Sequence, residues 1–131
     1  MFGDRNIHSV VAYLDYDPAA DDVIPVWTAP QACTIVSANA VSTNGLAADG
    51  TNHFSLALRN IGAAGTATTA IAPAVGGTAG WTALVPTAFT IDTDNNNVAA
   101  GDVVSVVYDE NGTGTFTAVA VQLNYVIGTG S

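Results

Sequence analysis

Lysine is absent from this sequence, and its only strong cations, Arg5 and Arg59, stand against eleven carboxylates for a formal net charge of -9. A nucleic-acid backbone would meet a like-signed field with almost no side chain able to release its counterions, which excludes nucleic acid as a working partner. The same field disfavours anionic lipid, and no apolar run of about 18 residues is present to cross a bilayer, so the chain is expected to be soluble with no membrane partner. Glutamate and methionine occur once each. Helix surfaces are built mostly from Glu, Lys, Gln, Arg and Leu, so the vocabulary for helices is missing. The single cysteine, Cys33, rules out an intrachain disulfide, and its place between Ala32 and Thr34 reads as a small buried hydrophobe. Met1-Phe2-Gly3-Asp4-Arg5-Asn6 has neither the basic start nor the apolar core of a signal peptide, so export is not expected.

The means for catalysis are equally thin. His8 and His53 are isolated and have no metal-ligand spacing, and neither a nucleophile elbow nor a phosphate-cradling loop occurs. Carboxylates do come in pairs, at Asp15 and Asp17, Asp21 and Asp22, Asp92 and Asp94, and Asp109 and Glu110. Glycosidases use two carboxylates, but all four pairs sit in turn-like sequence, where Asp caps local backbone N–H groups. Asp92-Thr93-Asp94-Asn95-Asn96-Asn97 resembles the opening of a Ca²⁺ loop, yet Asn97 replaces the required glycine and the closing Glu is missing, so a polar turn is the better reading. No catalytic residue, metal or cofactor is expected.

What is present favours strands. Ala, Thr, Val and Gly make up more than half of the 131 residues, enough chain for one domain with a core of its own. Ile7 to Tyr16 has strand composition and runs into the turn-rich Asp17 to Asp22. It reads as an N-terminal arm and turn, residues 1–22, ahead of a sandwich domain, residues 23–131. Pro25 marks Val23 to Trp27 as an edge strand or a bulge, because proline has no N–H for the ladder. Cys33 to Val41 is apolar on both faces, with Ile35 and Val41 on one and Val36, Ala38 and Ala40 on the other, as for a strand covered on two sides. Phe54, Leu56 and Leu58 alternate with His53, Ser55 and Arg59, the pattern of one buried face. Residues 62–80 form a Gly, Ala and Thr stretch read as a long, contact-held loop. Trp81 to Val85 and Phe89 to Asp92 predict short strands. Val103 to Tyr108 and Phe116 to Val126, joined by a Gly-rich turn, predict a hairpin, with Val119, Val121, Leu123 and Tyr125 inward. About seven to nine short strands with turns between them imply an all-β, two-sheet antiparallel sandwich, jelly-roll-like, with an N-terminal arm.

Two pieces of the chain resemble a pattern of small β-sandwich proteins from tailed-phage heads and tails. One is Val26-Trp27-Thr28-Ala29-Pro30 followed by Cys33-Thr34-Ile35-Val36 and Ala38. The other is Ala100-Gly101-Asp102-Val103-Val104, leading to the terminal strand at Tyr125; together they frame residues 23–127. The resemblance implies a head decoration, or cement, protein: usually a homotrimer, made in the host cytoplasm, seated on the outer capsid surface against the major capsid protein, with no catalytic residues to carry over. A virion role suits a surface rich in Thr, Ser, Asn and Gly that lacks both export signal and disulfides. On this reading the arm residues Phe2, Ile7, Val10, Tyr13 and Tyr16 are assembly anchors. Mean hydropathy of +0.35 is high for a soluble monomer and points the same way. The alternative is a carbohydrate- or receptor-binding sandwich of a tail or fibre, with Trp27, Trp81, Tyr108 and Tyr125 as candidate contacts. An enzyme is the weaker rival, and its mark would be a buried, perturbed carboxylate pair in a cleft.

Overall fold

The computed structural model describes residues 6–15, 18 and 21–128. Among them nine strands form: β1 (His8–Leu14), β2 (Asp22–Thr28), β3 (Cys33–Ser42), β4 (His53–Gly62), β5 (Thr69–Gly76), β6 (Thr87–Ala88), β7 (Asn97–Val98), β8 (Val103–Asn111) and β9 (Val119–Ile127). The only helical element among the described residues is a three-residue 3-10 turn, Gly77–Ala79. Sheet A runs β1-β9-β3-β6, with β7 also on β3, and sheet B runs β2-β8-β4-β5. Every pairing is antiparallel, and the chain is an all-β two-sheet sandwich. With the two-residue β7 set aside, the pairs are first with last, second with penultimate, and so inward to β4 with β5. That is a long hairpin rolled up on itself, the jelly-roll winding.

Period-two side chains supply the core. Ile35, Ala38 and Ala40 of β3 and Val119, Val121 and Leu123 of β9 face Phe54, Leu56 and Leu58 of β4 and Val104, Val106 and Tyr108 of β8, all of them buried. Phe54 lies at the centre of an aromatic group, with Trp81 stacked at 4.9 Å and Phe116 at 5.4 Å, while Tyr108 meets Phe116 edge-on at 5.4 Å. The Trp81 indole N–H, buried with its ring, donates to the Phe54 carbonyl at 3.0 Å. Pro25 does what its chemistry requires, since β2 is the edge of sheet B and its register slips between Pro25 and Trp27. Cys33 is fully buried, and burial first, then the nearby Asp102 charge, pushes its thiol up to about 11.

Four expectations need correction. β3 is not covered on two sides: its register shifts between Ile35 and Ser37, so Ile35 falls in line with Ala38 and Ala40, while Val36 is exposed. One bulge flips the phase, and a single buried face then reads as two. Within residues 62–80 lies a strand, β5, which places Ile71 and Ala72 in the core beside β4. Trp81 to Val85 is a turn anchored by an isolated bridge between Trp81 and Leu46, with Leu84 at positive φ, and the short strand near Phe89 is Thr87–Ala88 instead. Finally, β8 and β9 are no hairpin, because they belong to opposite sheets. The link between them bonds to the β3–β4 loop. Asn44 donates to the Thr115 carbonyl and accepts from the Thr117 N–H, and the Asn52 side-chain oxygen accepts from the Thr113 N–H. Those bonds carry the chain over the edge of the sandwich.

His8–Leu14, inside the segment 1–22, pairs along its whole length with β9 as the edge strand of sheet A. The two pieces that carried the family resemblance meet at one corner. There the Ala29 N–H donates to the Asp102 carbonyl and the Gly101 N–H to the Ala29 carbonyl, both at 2.9 Å.

Candidate functional site

Three strands, β1, β9 and β3, make up the body of sheet A, and none of their residues is Asp, Glu, Lys or Arg. On a chain with a formal net charge of -9 this is a large neutral area. Alternation sets its rows. Tyr13, Ala120 and Val41 lie side by side, then Val11, Gln122 and Asn39, then Ser9, Asn124 and Ser37. Four of the polar members bond to one another: the Ser9 hydroxyl donates to Asn124 Oδ1 at 2.7 Å, Gln122 Nε2 to the same oxygen at 2.9 Å, and Asn124 Nδ2 to Ser37 Oγ at 2.8 Å. Covering these four costs little desolvation, because their mutual hydrogen bonds do not have to be remade. Apolar side chains stand among them, with Tyr13 at 62 % and Val11 at 58 % exposure.

The expected anchors divide here. Ile7 and Tyr13 are exposed, whereas Val10 points inward and packs against the core; Phe2 and Tyr16 lie outside the described residues. Val11, absent from the expected anchors, stands on the same outward face as Tyr13, one row along, and is the more central of the two. Strict alternation along His8–Leu14 would have found it.

The four aromatic residues that are candidate glycan contacts are not exposed together on one face. Trp81 and Tyr108 are buried. Trp27 and Tyr125 are half-buried with centroids 4.7 Å apart, and His8 stacks on Tyr125 at 5.4 Å, so Tyr125 is engaged by its own neighbours.

Of the carboxylate pairs, the ones adjacent in sequence are not the ones that interact. Asp21 hydrogen-bonds Asp109 across the β2–β8 edge, and that contact, ahead of desolvation and like charge, raises the Asp109 pKa. A cavity of about 200 Å³ lies there, lined by Asp21, Asp22, Val23, Val107, Tyr108 and Asp109. The two carboxyls touch, whereas glycoside hydrolysis needs about 5 Å or more between them. Since the raised Asp109 binds a proton that the unfolded chain has released, this pair withdraws stability as pH rises through and above the ordinary carboxylate range. Asp21→Asn is therefore expected to raise the melting temperature slightly at pH 7, with the difference from wild type closing near pH 4; parallel melts at the two pH values check it.

At the Asp92 turn, Asp92 accepts from the Asp94 N–H at 3.0 Å and from Asn95 Nδ2 at 2.8 Å, which together lower its pKa. Asn96 is buried and turned away, donating to the Ile35 carbonyl at 2.8 Å beside the β3 bulge. Its side chain is committed to bracing β3, so Asp92, Asp94 and Asn96 do not converge as ligands. EDTA is expected to leave the melting temperature unchanged, and a rise of several degrees with added Ca²⁺ would contradict this. His53 Nδ1 lies 3.0 Å from the Asp49 carbonyl, a loop-holding contact.

In comparison with known proteins, the chain matches no family model, no curated sequence and no solved structure.

Proposed function

We propose that this chain is a structural, non-catalytic component that docks through the outer face of sheet A, in the role its resemblance to phage head decoration proteins implies. On this reading it sits on the outer surface of a capsid as a homo-oligomer, with the major capsid protein as partner. The observation that carries the proposal is the uncharged, internally hydrogen-bonded face of β1, β9 and β3 on a strongly acidic molecule. Like charge repels most surfaces of this protein from an acidic neighbour, and this face is free of that repulsion.

The test is cosedimentation with purified icosahedral phage heads stripped of their outer proteins, using the native chain and a variant carrying Asn39→Glu and Gln122→Glu. Both positions lie on the outer face, away from the core, and circular dichroism checks that the paired glutamates leave the sandwich folded. The native chain should pellet saturably, and the variant should bind at least about tenfold more weakly, a loss of about 1.4 kcal/mol. Failure of the native chain to bind, or equal binding by the variant, overturns the proposal.

A further inference from the structure

Open sheet edges are templates for pairing, and folded proteins blunt them with proline, charge, bulges or shortness. Three of the four edges here are blunted in these ways. β2 carries Asp22, Pro25 and a register shift, β5 carries Pro73 and pairs through two register shifts, and β6 and β7 are two residues each. β1 has none of these devices. Its seven residues hold an unbroken register with β9, contain neither proline nor Asp, Glu, Lys or Arg, and among the described residues no strand pairs with its other side.

We infer that β1 is a self-association edge, which pairs antiparallel with β1 of a second copy about a two-fold axis at Val11. The occupant follows from what is left over. A ring of three by strand addition needs one open edge and a different acceptor edge on each copy, and the described edges offer only one. Among the described edges, the open one is left with its own counterpart as the matching surface. Charge agrees, because a copy of this chain brings a net charge of -9 to the contact, and β1 is where two copies approach without opposing carboxylates. With Val11 on the axis, Val11 faces Val11 and Ser9 faces Tyr13 of the second copy. The described carboxylate nearest to β1 in sequence, Asp15, is then eight residues from its counterpart, about 26 Å at strand rise and beyond about three Debye lengths. Joined this way, the two neutral faces become one continuous surface, which deepens the docking role proposed above without depending on it.

The experiment is sedimentation equilibrium of the native chain over a concentration series, without any capsid. A species of twice 13.2 kDa is expected, and Val11→Lys, exposed and outside the core, should shift it to a single chain of 13.2 kDa while circular dichroism stays that of the native sandwich. Position is read by cross-linking: Val11→Cys should oxidise to a covalent dimer, since directly opposed residues have Cβ atoms about 5 Å apart, whereas Tyr13→Cys should not. Buried Cys33 does not compete. A monomer at every concentration, a trimer, or a dimer indifferent to Val11→Lys overturns the inference. A monomer that still binds heads would overturn the self-association edge and leave the docking role standing. A dimer with no affinity for heads would do the reverse.

Discussion

Val119→Asp is expected to abolish folding. Val119 is fully buried in β9, paired with Leu14 on one side and Ser42 on the other. Its replacement forfeits about 1.5–3 kcal/mol of apolar burial. The carboxylate must then either stay charged in the core or take up a proton against its ordinary pKa, adding several kcal/mol more. The only described arginine or lysine is Arg59, on β4 of the opposite sheet, where its neighbours Leu58 and Asn60 take the buried positions. Against a total stability of about 5–15 kcal/mol for a domain of this kind, the loss is decisive. Expression should yield insoluble or unfolded chain by circular dichroism. Ala120→Asp, one residue along and on the outer face, should fold. A soluble Val119→Asp with the wild-type melting temperature would mean that the inward face of β9 has been misassigned.

The second large effect is expected at Gly80. This residue has φ +80°, and a Cβ placed there would run into the Leu46 carbonyl oxygen. That oxygen accepts from the Trp81 N–H at 2.8 Å, in the bridge that holds Trp81 over Phe54. Alanine at Gly80 must therefore bear the cost of a backbone conformation confined almost entirely to glycine, about 1–3 kcal/mol, and also push apart the contact that seats the indole. A total near 3 kcal/mol, or about 10 °C in melting temperature, is the expected result. Two companion variants separate the contributions. Gly101 has φ +87° but open space around its Cβ position, so Gly101→Ala should show the backbone cost alone. Gly50 has neither constraint and should tolerate alanine with no measurable change. If all three behave alike, steric contact with the Leu46 carbonyl plays no part.

Much of the fold was legible because burial writes itself into alternation. Phe54, Leu56 and Leu58 in β4 and Val119, Val121 and Leu123 in β9 fall on the inward faces that their spacing predicts. Pairing was far less legible. Alternation reports which side of a strand is buried and is silent about which strand lies beside it, so β8 and β9, contiguous and matched in pattern, looked like a hairpin although they occupy opposite sheets. The one hairpin between long neighbouring strands, β4 with β5, has its second strand in the stretch that composition marked as a loop. Small residues hid β5, in which Ile71 is the lone large aliphatic before Val75. The bulge after Ile35 misled for a related reason, since one extra residue reverses the parity on which face assignment depends. The candidate docking face was half visible. Its lack of charge can be read directly from the strands, but that these strands are neighbours cannot, because β1 and β9 lie at opposite ends of the sequence.

That separation has a bearing on how the chain comes to be folded at all. The first two strands pair with the last two, β1 with β9 and β2 with β8. During synthesis neither therefore has its ladder partner until β8 and β9 have left the ribosome. Contacts so distant in sequence require large loops to close before they return any stabilisation, which makes folding slow and leaves unpaired strands exposed meanwhile. β2 waits with a proline and an acidic residue to discourage misplaced pairing, whereas β1 contains neither. Nascent chains translated side by side on one message are thus most at risk of joining through β1, and slowing translation of the segment beyond Asp102 should increase aggregation of this protein more than slowing it earlier.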